Sequence, residues 1–251
     1  MKTRTVLISV VVVVALAAVG VWYFVLRSDA PPPVSLDTAV ESVSETTTST
    51  STSAGDATET TTTVAPSTTA AATAGLDGDW IIDPTTSFAG YRVKEELASI
   101  GFTEAVGRTS DLVGGLTITG TTIPLVSVEV DMTTLQSDSS RRDGALGSRG
   151  LETDTFPTAT FLLVEPIELG SLPAVGEAIA FDGVGDLTLH GVTQTVSIPL
   201  EAQLVDDTTI VVVGSLEVAF ADYGIEAPTG FSVLAIDDPG LLELQLAFVR
   251  S

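Results

Sequence analysis

From residue 112 onward the chain alternates apolar and polar positions with a period of two. Val126, Val128, Val130 and Met132 alternate with Ser127, Glu129 and Asp131. Val196, Ile198, Leu200, Ala202 and Leu204 form a second set, Leu216, Val218 and Phe220 a third, and Leu242, Leu244, Leu246 and Phe248 a fourth. Such alternation places one face of a strand in a core and the other in water. Turn signals lie between the sets: Gly114-Gly115, Gly120, Asp206-Asp207, Gly214 and Pro239-Gly240. In GDLTLHGVTQTV (185–196), Leu187 and Leu189 lead into His190-Gly191 and Val196 resumes the alternation, which predicts a tight hairpin. Many strands with few helices between them predict an all-β antiparallel sandwich or barrel, and periodicity leaves the two open. Ser137 to Thr155 breaks the pattern and reads as a short helix and loop crossing the sheet, with a second short helix over Lys94 to Ile100.

The first third of the chain follows other rules. Val6 to Leu26 is 21 residues without a charge, and as a helix it would span roughly 31 Å, one hydrocarbon core. It ends in Trp22, Tyr23 and Phe24, which suit a membrane interface better than a signal-peptide cleavage site. Lys2 and Arg4 precede the span, so residues 1–27 are expected to form a single-pass signal-anchor in the cell membrane, with the N-terminus cytoplasmic and the remainder extracytoplasmic. Residues 28–75 are rich in Thr, Ser and Pro and poor in large apolar side chains, so they are expected to be a disordered stalk reaching about 40 Å. Residues 76–251 form the globular domain, large enough to bury a substantial core.

Charge narrows the function classes. The whole chain carries −23 and the domain holds 27 acidic residues against 7 basic ones. Such a surface repels phosphate backbones, so nucleic acid is not an expected partner. There is no Cys and a single His, so no disulfide, thiol chemistry or nitrogen–sulfur metal site is expected, and no cofactor is implied. His190 is read as a hairpin residue. No nucleophile elbow or dinucleotide fingerprint occurs, and no enzymatic activity or catalytic residue is expected. Asp237-Asp238 and Asp77-Gly78-Asp79 are read as acidic turns rather than calcium loops.

Four segments in order carry a resemblance to a known family. They are WIIDPTTSF (80–88), RRDGALGSRGLETDTFPTATF (141–161), GDLTLHGVTQTV (185–196) and FADYGI (220–225). Together they resemble the YceI-like, or polyisoprenoid-binding, domain over roughly residues 78 to 249. The resemblance implies an extended, lipocalin-like antiparallel β-barrel of about eight strands, holding one slender apolar chain such as an isoprenoid. In such a barrel, Phe88, Tyr91, Phe161, Phe181, Phe220 and Phe231 are the candidate lining residues. Arg142 and Asp143 are a candidate polar pair at the barrel mouth, either contacting a ligand headgroup or forming an ion pair that pins the crossing segment. The implied function is a membrane-tethered, extracytoplasmic binding protein for an isoprenoid or similar amphiphile. The alternative is a structural or envelope-stress barrel filled by its own side chains. Inward residues separate the two.

Overall fold

The computed structural model describes residues 30–50, 75–99 and 101–251. The expected membrane span at 6–26, and residues 51–74 of the expected stalk, lie outside the described residues. Among the described residues, no helix is long and apolar enough to cross a membrane.

The chain begins with helix α1 (Leu36–Thr50) and continues as strands β1 (Gly78–Ile82), β2 (Phe88–Leu97), β3 (Gly101–Thr109), β4 (Leu112–Thr119), β5 (Thr122–Asp131) and the two-residue β6 (Gln136–Ser137). A crossing segment with helix α2 (Ser140–Ala145) and a wide helical turn at Leu146–Gly150 follows. Then come β7 (Thr158–Leu163), β8 (Ile167–Glu168), β9 (Ala178–Leu189), β10 (Val192–Asp206), β11 (Thr209–Val218), a 3₁₀ turn at Phe220–Tyr223, β12 (Val233–Ile236) and β13 (Gly240–Arg250). The strands pair antiparallel in the order β1-β4-β5-β7-β9-β10-β11-β13, and β13 returns to β1. This closes an eight-stranded barrel and leaves no free edge in the ring. The hairpin β2–β3 continues from β13 as a flap, flanked by β6 and β12.

Local chemistry explains the joints. His190 and Gly191 both take positive φ, 51° and 74°, the pair that a two-residue hairpin turn requires. Strand β13 passes from β2 to β1 at the DPTTS corner, where its ladder would be broken. There Ala247 accepts from Asp83 N at 2.8 Å and donates its own N–H to Ser87 Oγ at 2.9 Å. The Ser87 hydroxyl, 2% exposed, thus stands in for a missing strand neighbour. Trp80 is buried too and donates Nε1–H to Leu76 O at 3.0 Å.

Two expectations are corrected. The expected helix over Lys94 to Ile100 is absent from its described part, Lys94 to Ser99: β2 runs through Leu97, with Lys94 opposite Glu104 of β3 and Glu95 opposite Ile236 of β12. Pairing on both sides overrides the helix preference of Lys-Glu-Glu-Leu. The expected disordered stalk is ordered in part. Helix α1 lays Leu36, Ala39 and Val43 against Val211, Val213 and Ala247 on the outside of the barrel, and all six are buried. These apolar positions fall at i, i+3 and i+7, one helical face. Ahead of α1, Pro31 O and Pro32 O accept from Arg92 and Arg108 at 2.8 and 3.2 Å. Beneath them Arg92 and Glu243, both nearly inaccessible, form an ion pair at 2.8 Å, joined by Glu104 and Arg108. Burial pulls the Arg92 guanidinium toward neutrality, but its bonds to Glu243 and Glu104 outweigh this and raise its pKa further.

Candidate functional site: the barrel interior

The barrel is hollow. A cavity of about 250 Å³ runs within it, from Leu76, Leu169 and Pro173 at one end to Leu146, Leu151, Ala227 and Pro228 at the other. The alternating sets supply its wall: Val126, Val128, Val130 and Met132 from β5 and its end, Ile198, Leu200, Ala202 and Leu204 from β10, and Leu242, Leu244, Leu246 and Phe248 from β13. Among the described residues, no charged side chain lines it. Several inward residues, Val128, Phe181, Leu189, Leu200 and Leu244 among them, are only half-buried although they point away from solvent. Their exposed surface faces the cavity.

Four of the six expected aromatic residues line this cavity: Tyr91, Phe161, Phe181 and Phe220. Two of them occupy space that neighbouring glycines leave open. The Phe161 ring fills the position a Cβ on Gly185 would take, at 2.4 Å, and the Tyr91 ring does the same at Gly107, at 2.3 Å. Each ring therefore lies over the adjacent strand instead of crossing the lumen. Phe88 and Phe231 are corrected. Phe88 lies three positions before Tyr91 on a regularly paired strand, so the two point to opposite faces. Its ring instead stacks under the Arg108 guanidinium at 4.1 Å. Phe231 sits in the loop before β12 and is fully exposed. Aliphatic alternation was the better signal for the wall, because it marks the face, whereas aromatic character does not.

Arg142 and Asp143 do not line the cavity and do not pair with each other. Arg142 is held by Glu95 on β2 and by Asp138. Asp143 Oδ1 accepts from Ser137 N at 3.0 Å and Ser137 Oγ at 2.6 Å. The two residues pin the crossing segment to β2 and β6 through separate partners. Burial disfavours charge on Arg142, but the Glu95 and Asp138 carboxylates outweigh it and raise its pKa. Burial drives the nearby Tyr91 hydroxyl far above the usual phenol range, opposed by the Arg142 charge, so it stays protonated. His190 is clasped between the Tyr223 carbonyl, 3.0 Å from Nδ1, and the Glu152 carboxylate, 2.9 Å from Nε2, with the Phe156 ring 4.4 Å away. It ties the β9–β10 hairpin to the crossing segment. Among the described residues, no three His, Asp or Glu side chains form a cluster able to hold a metal ion.

The model of the YceI-like domain matches residues 80–248, spanning β1 to β13. The chain belongs to the YceI-like domain family. Its fold is similar to that of a polyisoprenoid binding domain from Saccharophagus degradans implicated in plant cell wall breakdown, at 24% identity and a TM-score of 0.57, covering 68% of this chain and 98% of that one. Weaker likenesses are to BcnA of Burkholderia cenocepacia, at 15% identity, a TM-score of 0.49 and coverage of 68% and 99%, and to a YceI protein of Campylobacter jejuni, at 13%, 0.46, 58% and 84%. No curated protein matches the chain. The YceI-like motifs of this chain are mostly joints. Ser87 stitches β13, and Arg142 clamps α2. His190-Gly191 forms a turn, and Phe220 begins the 3₁₀ turn that closes one end of the cavity wall.

Proposed function

We propose that this YceI-like domain is a membrane-tethered, extracytoplasmic binding module that holds a long apolar molecule, an isoprenoid or a similar lipid-like chain, inside its barrel, with no bond chemistry. The observation that carries this reading is the hollow interior, about 250 Å³ with a wall of aliphatic and aromatic side chains and no charge. Ligand pockets commonly offer roughly 300–1,000 Å³, so a lumen near the lower end suits a slender chain rather than a broad ring system. Burial of apolar surface, at about 25 cal/mol per Å², would supply the affinity. The description of the Saccharophagus degradans domain as polyisoprenoid binding supports the choice of ligand class. The uncharged segment 6–26, flanked by Lys2, Arg4 and Arg27, supports the tether and the outward placement of the domain.

The test is native mass spectrometry of the full chain after extraction in mild detergent. A retained apolar molecule is expected, with retention rising with chain length across a series of added isoprenoids. Absence of any retained or acquired chain would leave the alternative, a barrel with a structural role.

A further inference from the structure

We infer that the flap beside the barrel mouth rests on the bilayer through Phe102, Phe231 and Leu234, and that this contact lies where an apolar ligand would pass between lipid and barrel. The inference rests on the tether and binding proposed above. Strand β2 pairs with β13 only as far as Arg92 opposite Leu241, and from Val93 onward the β2–β3 hairpin overruns the start of β13. There it is flanked by β12. This overhang carries a group of large exposed apolar residues: Phe102 at 79%, Phe231 at 101% and Leu234 at 53% exposure. Single exposed apolar residues are ordinary, but three bulky ones on one projecting tip mark a contact surface.

The path of the N-terminal segment identifies what the tip faces. Pro31 O is bonded to Arg92 and Pro32 O to Arg108, and Arg108 lies opposite Gly90, two positions nearer the start of β2. Farther on, Ser42 meets Gln245, which lies opposite Phe88. From Pro31 to Ser42 the chain therefore runs away from the tip, so Pro31 is the end of this stretch nearer the tip. Five Cα steps separate Pro31 from Leu26, the end of the apolar segment, and they span at most about 18 Å. Arg92 to Leu97 at the tip is five residues of strand, about 17 Å. A span ending at Leu26 would thus lie within reach of the level of the tip. The 40 Å stalk expected from composition does not separate them, because the chain docks on the barrel before the Thr/Ser-rich tract begins.

The same tip borders the cavity. Val93 of β2, Ile236 of β12, and Ala227 and Pro228 of the preceding loop are part of its wall. Leu234 is two residues from Ile236, and Phe231 is three from Pro228. The charged neighbours on β2 and β3 and just after β12 are Lys94, Glu95, Glu96, Glu104 and Asp237, mostly acidic. The contact is therefore apolar insertion, and anionic lipid is not needed for it.

The chain has no Cys, so single-cysteine variants can be labelled uniquely. F102C, F231C and V175C of the full chain would each carry an environment-sensitive fluorophore in phosphatidylcholine vesicles containing a lipid-borne quencher. Val175 is exposed at the other end of the barrel, where Gly176 N bonds Leu204 O. Quenching several-fold stronger at 102 and 231 than at 175, with no gain from added anionic lipid, is expected. Labels at 102 and 231 that behave like the one at 175, quenched by aqueous iodide instead, overturn the inference. Flotation of the vesicles reports the tether separately. A chain that floats with an unquenched tip rejects this inference alone, and one that does not float rejects the tether with it. A quenched tip with no chain retained in the barrel supports the contact and rejects the binding reading.

Discussion

Strands β5 and β11 are each ten residues long and belong to the same barrel, yet they spend their apolar side chains differently. Along β5 the outward residues Leu125, Ser127 and Glu129 are exposed, while the inward Val126 and Val128 are only half-buried because they face the cavity. Along β11 both faces are buried. Ile210 and Val212 point inward, and Val211 and Val213 lie outside under α1. Val211, outside the barrel under α1, is thus wholly inaccessible at 0%, whereas Val126 and Val128 inside it are not. Most of the buried apolar side chains face the barrel interior, and a smaller close-packed set lies on the outer surface under α1. This divides the apolar surface in two: the covered outer face is packed against α1, whereas part of the inward face borders a cavity.

The largest test of this division is Ala39→Asp, which puts a carboxylate into the α1 contact, where Ala39 is fully buried. Helix α1 should detach. Burying a Leu or Val side chain stabilises by about 1.5–3 kcal/mol, and ordering the chain offsets part of it, so a loss of about 2–4 kcal/mol is expected in denaturant unfolding. Amides 36–45 should then exchange at unprotected rates. Wild-type stability with retained protection would mean that α1 contributes nothing.

A matched pair sharpens the contrast. Val211→Phe overpacks the covered face and should cost about 1–3 kcal/mol. Val128→Phe adds the same atoms to the lumen, where there is room. It should change stability by less than about 1 kcal/mol while lowering the uptake of an apolar chain. Equal destabilisation by the two would show that the lumen is not empty in solution.

The smallest effect is expected from Tyr91→Phe. The hydroxyl is buried without a well-formed hydrogen bond among the described residues, so its removal should be nearly neutral at pH 7. Alkaline pH separates the two proteins. The folded-state pKa of Tyr91 is raised by burial above the unfolded value near 10, so the native state holds its proton longer than the unfolded state does. The stabilisation is fully present below pH of about 10 and is lost as pH rises toward the folded value. Tyr223, also raised by burial, adds to the slope in both proteins. Unfolding followed from pH 9 upward should show a shallower loss for Tyr91→Phe, and identical slopes would refute a buried, protonated Tyr91.

Much of this molecule is legible in its residues. Period-two alternation marks the strands and, along β5, β10 and β13, names the inward face correctly, because a strand can only present its side chains alternately to two sides. His190-Gly191 fixes a hairpin, since few residue pairs accept two positive φ angles in succession. The ordered motifs give the family. Three things depend on the tertiary structure. Alternation says which face a residue occupies but not what volume remains beyond it, so the hollow lumen is set by ring closure and by glycines such as Gly107 and Gly185 that let Tyr91 and Phe161 lie over neighbouring strands. Aromatic character did not separate Tyr91 from Phe88, because register decides which of two residues at odd spacing turns inward. Leu36, Ala39 and Val43 are too few among Ser, Thr and Glu to hold a helix by themselves, and the run Ile210 to Val213, apolar on both faces, is the only local hint that a partner covers β11. Helix and strand each bury what the other leaves exposed, a dependence between positions some 170 residues apart that no local pattern carries.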